Sequence, residues 1–229
     1  MDSPDATDYF GAADPTETPW RPPSSQAARK PRGSVPKNGG IRGVSCLVRS
    51  MPKALMIIAE GFEEIEAVTP IDLLRRAGVE VTVAGLAPGI HVTGRSGITL
   101  HADTPLAAVE AADFDALVLA GGPGVKHLRA DSRVAALARR HHAAGRWVAA
   151  ICAAPLVLHD AGLLGGRRYT AHDSAAPELT AILATERVVE DGRIITSRGA
   201  GTALDFGLHL IARLISEAQS AEIARSLCA

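Results

Sequence analysis

The chain has 229 residues, of which 47% are hydrophobic, and a formal net charge of −1. This balance is typical of a soluble globular protein, and it gives no basic or acidic excess that would favour nucleic acid or a charged membrane surface as a partner. No apolar run reaches the roughly 18 residues needed to cross a bilayer. The first five residues are acidic rather than apolar, so no secretory signal is expected either.

Cysteine usage indicates a reducing compartment, and we therefore expect a cytoplasmic protein. Cys46, Cys152 and Cys228 cannot all pair, and they are not spaced like zinc ligands. The phosphate-loop pattern G-x-x-x-x-G-K-[ST] and the dinucleotide pattern G-x-G-x-x-G are both absent. We accordingly expect no cofactor and no metal.

Residues 1–50 differ in composition from the rest of the chain. They contain seven of the 14 prolines, and their apolar residues show no period. Such a segment buries too little surface to offset its ordering entropy, so we predict a disordered extension. It is either a targeting or partner-binding arm, or a non-native extension from an upstream start codon. The second interpretation is favoured because Met51 leads directly into the first predicted strand.

From residue 51 onward, predicted strands alternate with predicted helices. Apolar runs of strand length occur at residues 54–59, 79–84, 116–119 and 147–151, and a further strand is predicted at residues 167–171, which follow a glycine. Helices are predicted at residues 63–77, 105–111, 132–144, 153–161 and near the C-terminus, and hairpins at residues 91–101 and 187–197. This order predicts one doubly wound α/β domain over residues 51–229, with a mostly parallel sheet and helices on both faces.

Two local features add detail to the predicted helices. Pro70 should either kink the first helix or begin a new one capped by Thr69. Thr202 and Asp205 have the spacing of a capping box at the start of the C-terminal helix.

Reactive groups of such sheets collect at the C-terminal ends of the strands. Cys152 lies there, between a predicted strand and a predicted helix, with alanines on either side. This arrangement resembles a nucleophile elbow, where the N–H groups at the helix start favour a thiolate and can bind an oxyanion. The alternative is that Cys152 is a small buried hydrophobic residue. Cys46 and Cys228 have no such context.

Further candidates lie at the ends of neighbouring strands. Gly121 and Gly122 form a turn whose backbone can approach a ligand closely. Three glutamates stand at the predicted start of the first helix, and Glu66, which has apolar neighbours, is the one expected to be buried and protonated. The alternative is that these acids only interact favourably with the helix dipole. His172 is the one histidine predicted on the same edge, and a catalytic role for it is left open.

Several motifs in this order together resemble the ThiJ/PfpI superfamily, in particular its Parkinsonism-associated deglycase ("DJ-one") branch and the bacterial counterparts of that branch. The resemblance covers essentially all of residues 51–229 and none of residues 1–50. The motifs are Phe62-Glu63-Glu64-Ile65-Glu66-Ala67, Val81-Thr82-Val83-Ala84-Gly85, Ala120-Gly121-Gly122, Ala149-Ala150-Ile151-Cys152-Ala153-Ala154-Pro155 and Thr196-Ser197-Arg198-Gly199.

The resemblance implies a flavodoxin-like fold and a homodimer. It implies that Cys152 is the nucleophile and a redox-sensitive thiol, that Glu66 is a protonated carboxyl against it, and that His172 lies nearby. It further assigns oxyanion-hole N–H groups to Gly122 and Ala153, beside Gly121, and places Arg76 and Arg95 near the dimer interface and pocket. Two departures from the family pattern are Ala200, where a proline is usual, and Asp173 after His172.

The activities implied are glutathione-independent (glyoxalase III-type) conversion of methylglyoxal to lactate and deglycation of early protein adducts. The partners would therefore be a small aldehyde or a glycated protein. The alternative is a redox sensor or chaperone regulated by oxidation of Cys152. Peptide hydrolysis is a third and less favoured reading, because it needs a reliable thiol–imidazole pair. The sequence does not separate the first two functions, since both use the same thiol and carboxyl.

Overall fold

The computed structural model describes residues 51–229, so the predictions for residues 1–50, including Cys46, lie outside the described residues. The strands of this part are β1 (Lys53–Ile58), β2 (Glu80–Gly85), β3 (His91–Thr93), β4 (Thr99–His101), β5 (Thr104–Pro105), β6 (Ala116–Leu119), β7 (Trp147–Ile151), β8 (Val188–Asp191) and β9 (Ile194–Ser197). The helices are α1 (Glu64–Arg76), α2 (Val125–Ala130), α3 (Ser132–Ala143), α4 (Pro155–Asp160), α5 (Ala203–Leu214) and α6 (Glu217–Ser226).

A seven-stranded sheet in the order β5-β2-β1-β6-β7-β9-β8 forms the centre of the fold. Every neighbouring pair is parallel except β8 and β9, which form an antiparallel hairpin at one edge. Strands β3 and β4 form a separate antiparallel hairpin. The predicted doubly wound, flavodoxin-like α/β fold is confirmed, and so are both predicted hairpins.

The central strands are apolar without interruption because both faces of the sheet are covered. In β1, Ala54, Met56 and Ile58 join the core beneath α1, α5 and α6, whereas Leu55 and Ile57 join the core beneath α2, α3 and α4. All five side chains are fully buried. Successive strand residues point to opposite faces, so a two-sided core requires an apolar residue at each position. None of the helices of residues 51–229 is both long and apolar enough to cross a bilayer.

Helices α1 and α5 pack closely because Gly207 of α5 has no side chain. A Cβ atom at Gly207 would lie 2.4 Å from Leu73 Cδ1 and 3.3 Å from the Cα atom of Pro70. Pro70 lies inside one continuous helix, so the alternative of a new helix capped by Thr69 is wrong. The contact with α5 holds α1 over the sheet, and α1 carries Glu66.

Two predicted elements are wrong. Residues 105–111 do not form an α-helix, because Pro105 ends the edge strand β5 and only a short 3₁₀ turn, Leu106–Ala108, follows. Residues 167–171 do not form a strand. Tyr169 makes a single bridge to Ile182, and the Thr170 N–H bonds to the Thr196 hydroxyl instead of a strand carbonyl. The place beside β7 is taken by β9.

Two helix starts also differ from the prediction. Helix α4 begins at Pro155 and not at residue 153, which leaves Ala153 in the turn after β7. Thr202 precedes α5, but its side chain makes no capping bond to that helix. Its hydroxyl instead accepts from the Gly199 N–H at 3.1 Å and contacts the Ser197 hydroxyl at 2.7 Å. Thr202 therefore secures the loop after β9.

The packing of α1 on α5 generates a stability prediction. Gly207→Val should lower the free energy of unfolding by about 1–3 kcal/mol, because the added atoms overlap Leu73 and Pro70. Gly201→Ala is the control, since nothing lies within 4 Å of a Cβ atom there. Urea denaturation of both variants measures the effect. An unchanged Gly207→Val protein would show that the two helices separate at little cost.

Candidate active site

Cys152 is held in a strained backbone conformation at the end of β7. Its φ angle is +65°, a region that side chains other than glycine rarely adopt. The Cys152 N–H donates to the Ser197 carbonyl at 2.9 Å, and the Cys152 carbonyl accepts from the His172 N–H at 2.9 Å. The backbone on both sides of the thiol is thus fixed by neighbouring segments, as expected of a preorganised nucleophile.

Gly121, in the turn after β6, lies between Cys152 and Glu66. A Cβ atom at Gly121 would lie 2.6 Å from Cys152 Cβ and 2.5 Å from Glu66 Oε2. The N–H of Gly121 donates to the same Glu66 oxygen at 3.0 Å. Only glycine therefore permits the thiol and the carboxyl to approach each other from two sides of this turn.

Glu66 lies in the first turn of α1, and its side chain is buried. Its backbone N–H donates to Glu63 Oε2 at 2.8 Å, so Glu63 caps the helix. The two glutamates have different roles. The Glu63 side chain accepts a hydrogen bond from a free N–H group at the helix start, whereas the Glu66 side chain is directed inward to Gly121 and Cys152.

Burial raises the pKa of the Glu66 carboxyl to about 7. The neighbouring Glu63 charge adds to the rise, whereas hydrogen bonds from Cys152 and Gly121 and the charge of Arg95 oppose it. A carboxyl with this pKa is protonated in a large fraction of molecules at neutral pH. It can therefore either give or accept a proton there.

Burial also raises the pKa of the Cys152 thiol, and the charge and hydrogen bond of Glu66 raise it further. Hydrogen bonds from the N–H groups of Gly122 and Ala153 lower it. The charge of Glu66 raises the thiol pKa by repulsion between two negative charges, and this repulsion vanishes when Glu66 carries a proton. The thiolate and the protonated carboxyl consequently favour each other, and the pair titrates as a unit.

Gly122 and Ala153, to which the resemblance assigns oxyanion-hole N–H groups, both lie beside Cys152 in the cavity. Gly122 has a φ angle of +87°, and a Cβ atom on it would meet the Glu63 nitrogen at 2.6 Å, so this turn also requires glycine. Ala153 follows Cys152 directly, before α4 begins. Both N–H groups lower the pKa of the Cys152 thiol, so they favour its thiolate, and groups of this kind can also stabilise an oxyanion.

His172 lies on an exposed wall beside Cys152. Its Nδ1 atom accepts from the Ser174 N–H at 3.1 Å and lies 3.0 Å from the Ser174 hydroxyl. The proton of the neutral ring is therefore on Nε2. Among residues 51–229 the ring bonds to Ser174 and not to Cys152, so the resting structure shows no thiol–imidazole pair. Asp173 pairs with Arg198 at 2.8 Å.

A cavity of about 550 Å³ brings most of the predicted residues together. Cys152, Glu66, His172, Gly122, Ala153 and Arg95 all line it. Gly121 lies directly behind the thiol and carboxyl. Arg76 does not line the cavity, because it forms an ion pair with Asp72 at the exposed end of α1.

Two cationic side chains that line the cavity, Lys126 and Arg129, were not predicted from the sequence. Both lie on α2, which begins immediately after the Gly121–Gly124 turn. The sequence already predicts that this turn lies at the reactive edge of the sheet. The two cationic residues that follow the turn could therefore have been predicted to line the site. Within residues 51–229, no three histidine, cysteine or acidic side chains converge as metal ligands.

Comparisons with known proteins agree with this site and fold. Residues 52–213 match the DJ-1/PfpI family. The Drosophila melanogaster protein dj-1beta is 40% identical over 178 residues, which are 76% of this chain and 95% of that protein. Its crystal structure has a TM-score of 0.75 and covers 78% of this chain and 98% of its own.

Two further relatives extend the comparison. The structure of oxidized Toxoplasma gondii DJ-1 has a TM-score of 0.74 at 37% identity and covers 77% of this chain and 98% of its own. A Pyrococcus abyssi protein named as a deglycase is 33% identical over 152 residues, which are 65% of this chain and 91% of that protein. By its sequence, its sheet and the placement of its motifs, the chain belongs to the DJ-1/PfpI family.

Proposed function

We propose that the protein is a cysteine-dependent enzyme that acts on reactive carbonyl compounds. It would convert methylglyoxal to lactate without glutathione, remove early glycation adducts from proteins, or do both. The observation that carries this proposal is the contact of the Cys152 thiol with a buried carboxyl whose pKa is raised to about 7. A nucleophile and a proton carrier that operates at neutral pH thus face one cavity.

The proposed reaction begins when the Cys152 thiolate adds to the aldehyde carbon of methylglyoxal to give a hemithioacetal. Glu66 moves the proton of that carbon to the neighbouring ketone carbon through an enediol. The first carbon is thereby oxidised to a thioester and the second is reduced to an alcohol. Water hydrolyses the thioester, which releases lactate and regenerates the thiol. The redox change is internal to the substrate, so no external oxidant or reductant is consumed.

Other residues of the site have roles in the same scheme. The N–H groups of Gly122 and Ala153 would stabilise the oxyanion formed when sulfur adds to the carbonyl. His172, with its proton on Nε2, is a proposed second proton donor at the exposed wall. Deglycation is supported by the similarity to the Pyrococcus abyssi relative, which is named as a deglycase.

The second candidate function is redox sensing or chaperone activity regulated by Cys152 oxidation. It is favoured by the same two N–H groups, because they favour the charged form of the Cys152 sulfur and would bond to the oxygens of a sulfinate. Turnover separates the two functions, since a sensor does not need proton transfer to a substrate.

Glu66→Gln should lower kcat for methylglyoxal at least about 100-fold, because general acid–base groups contribute about 100- to 10,000-fold. Glutamine retains a hydrogen-bonding side chain but cannot carry the proton. Cys152→Ser should remove turnover, and Glu80→Gln is the matched control, since Glu80 is exposed at the start of β2. Lactate release measures the rates. A Glu66→Gln enzyme of normal kcat would reject the relay and favour the sensor.

The raised pKa of Glu66 also predicts a pH dependence of stability. The pKa of Glu66 is about 7 in the folded chain and 4.5 for an ordinary glutamate. The contribution of Glu66 to the free energy of unfolding is therefore fully present below pH 4.5 and is lost as the pH rises through 7. The Glu66→Gln variant has no such loss. Its free energy of unfolding, relative to that of the wild type, should therefore rise by roughly 3 kcal/mol between pH 4.5 and pH 8. Urea unfolding at both pH values measures the difference. A constant difference would mean that Glu66 ionises normally.

We also propose that two chains form a homodimer through the exposed face of α1 and the β3–β4 turn. Ile65 and Val68 of α1 and Ile98 of the turn are exposed apolar side chains. Glu64 Oε1 accepts from the Ser96 N–H at 2.7 Å, which fixes the turn against the start of α1. Adjoining exposed apolar side chains of this kind mark protein interaction surfaces.

Ile65→Lys should convert the dimer to a monomer, because it places a charge in the proposed interface. Sedimentation equilibrium of the full chain measures the mass. Met51→Lys, at an exposed apolar residue ahead of β1, should remain dimeric. A monomeric wild type, or a dimeric Ile65→Lys variant, would place the interface elsewhere or remove it.

A further inference from the structure

The cavity around Cys152 contains cationic side chains that differ in how they are neutralised. Arg129 is committed to two carboxylates, Asp160 at 2.6 Å and Glu178 at 2.6 Å. Its charge is therefore balanced by its own partners, and it is held in a fixed position. Arg95 acts on Glu66, whose ionised form it favours. The charge of Arg129 is therefore not available to a ligand, whereas Arg95 is exposed in the β3–β4 turn and its charge acts on Glu66, at the reacting end of the cavity.

Lys126 lacks the carboxylate partners of Arg129, and it lies on α2 and not on the turn that carries Arg95. It is exposed on α2 and lines the cavity. Among residues 51–229 it has no carboxylate within ion-pair distance and no side-chain hydrogen bond. An ammonium group on a flexible stem is a mobile point charge, which suits an anionic group whose position varies between ligands.

We propose that Lys126 makes the Cys152 cavity selective for carbonyl compounds that carry an anionic group. This inference rests on the proposed function, because it names the substrate class of that site. The thiol would add to the aldehyde at the closed end of the cavity, and Lys126 would attract the charged end of the molecule at the rim. Methylglyoxal, which is neutral, lacks the second contact.

A matched substrate pair follows from this assignment. 4,5-Dioxopentanoate is a 2-oxoaldehyde with a carboxylate, and its methyl ester has the same reacting carbons without the charge. By the scheme above, addition of one water converts 4,5-dioxopentanoate to 2-hydroxyglutarate. The aldehyde carbon is oxidised to a carboxylic acid and the ketone carbon is reduced to an alcohol, so the reaction needs no co-reactant.

Alkylation of Cys152 tests the charge selectivity without any turnover. Iodoacetate and iodoacetamide transfer similar groups to a thiol and differ in charge. The ratio of their rate constants at Cys152, measured by mass spectrometry on the full chain, should fall about fivefold in Lys126→Met. A change of about fivefold is the size expected of the attraction between one ammonium group and one carboxylate that solvent partly screens. Because it is a ratio, it cancels any change in thiol reactivity that affects both reagents.

Two variants control this measurement. Lys126→Arg keeps the charge and should restore most of the ratio. Lys53→Met removes a lysine that pairs with Glu80 beside the first residues of β1 and β2, and it should leave the ratio unchanged. An unchanged ratio in Lys126→Met, or an equal fall in Lys53→Met, would overturn the proposal.

Turnover of the substrate pair separates this inference from the function on which it rests. The wild type should prefer 4,5-dioxopentanoate over its methyl ester in kcat/KM, and Lys126→Met should reduce that preference about fivefold, mainly through KM. Turnover of the ester without a preference for the anion would overturn the role of Lys126 and leave the enzyme function intact. Absence of turnover with both compounds, together with the predicted alkylation ratios, would reject the enzyme function and retain the anion-selective cavity.

Discussion

Three chain segments meet where the Glu66 carboxyl, the Gly121 backbone and the Cys152 side chain touch one another. The contact exists because Gly121 has no side chain and because Cys152 accepts a left-handed backbone conformation. Each segment is fixed by a different part of the fold: α1 by its packing on α5, the turn by β6, and the thiol by bonds to Ser197 and His172. The strain at Cys152 is thus offset by backbone hydrogen bonds to two neighbouring segments.

The chemistry follows from this contact because burial acts on both groups. A solvated carboxyl would be ionised at neutral pH and would repel a thiolate beside it. Burial raises the pKa of Glu66 to about 7, so the carboxyl can hold the proton that the thiolate has lost. Protonation of Glu66 removes its negative charge, which is one cause of the raised pKa of the Cys152 thiol, although the burial of the thiol remains. The N–H groups of Gly122 and Ala153 stabilise the same charged state of the sulfur.

Most of the fold could be predicted from sequence, because the central strands are buried on both faces and therefore read as unbroken apolar runs. The prediction failed where structure depends on a single distant partner. Residues 167–171 follow a glycine as a strand would after a helix, but the position beside β7 in the sheet is occupied by β9. Thr202 has the spacing of a helix cap, yet its hydroxyl is used by Ser197 and Gly199. Neither competition is visible in the local pattern.

The candidate site shows the same division. Cys152, Glu66 and the glycines could be placed because each follows a predicted strand, whereas the raised pKa of Glu66 depends on burial that only the folded chain defines. The most direct test is a carbon-13 NMR titration of the Glu66 carboxyl in the full chain, assigned with Glu66→Gln. We expect a midpoint near pH 7, since burial raises the pKa of Glu66 to about 7. A midpoint near the ordinary 4.5 would contradict the proton-sharing pair on which the proposed chemistry rests.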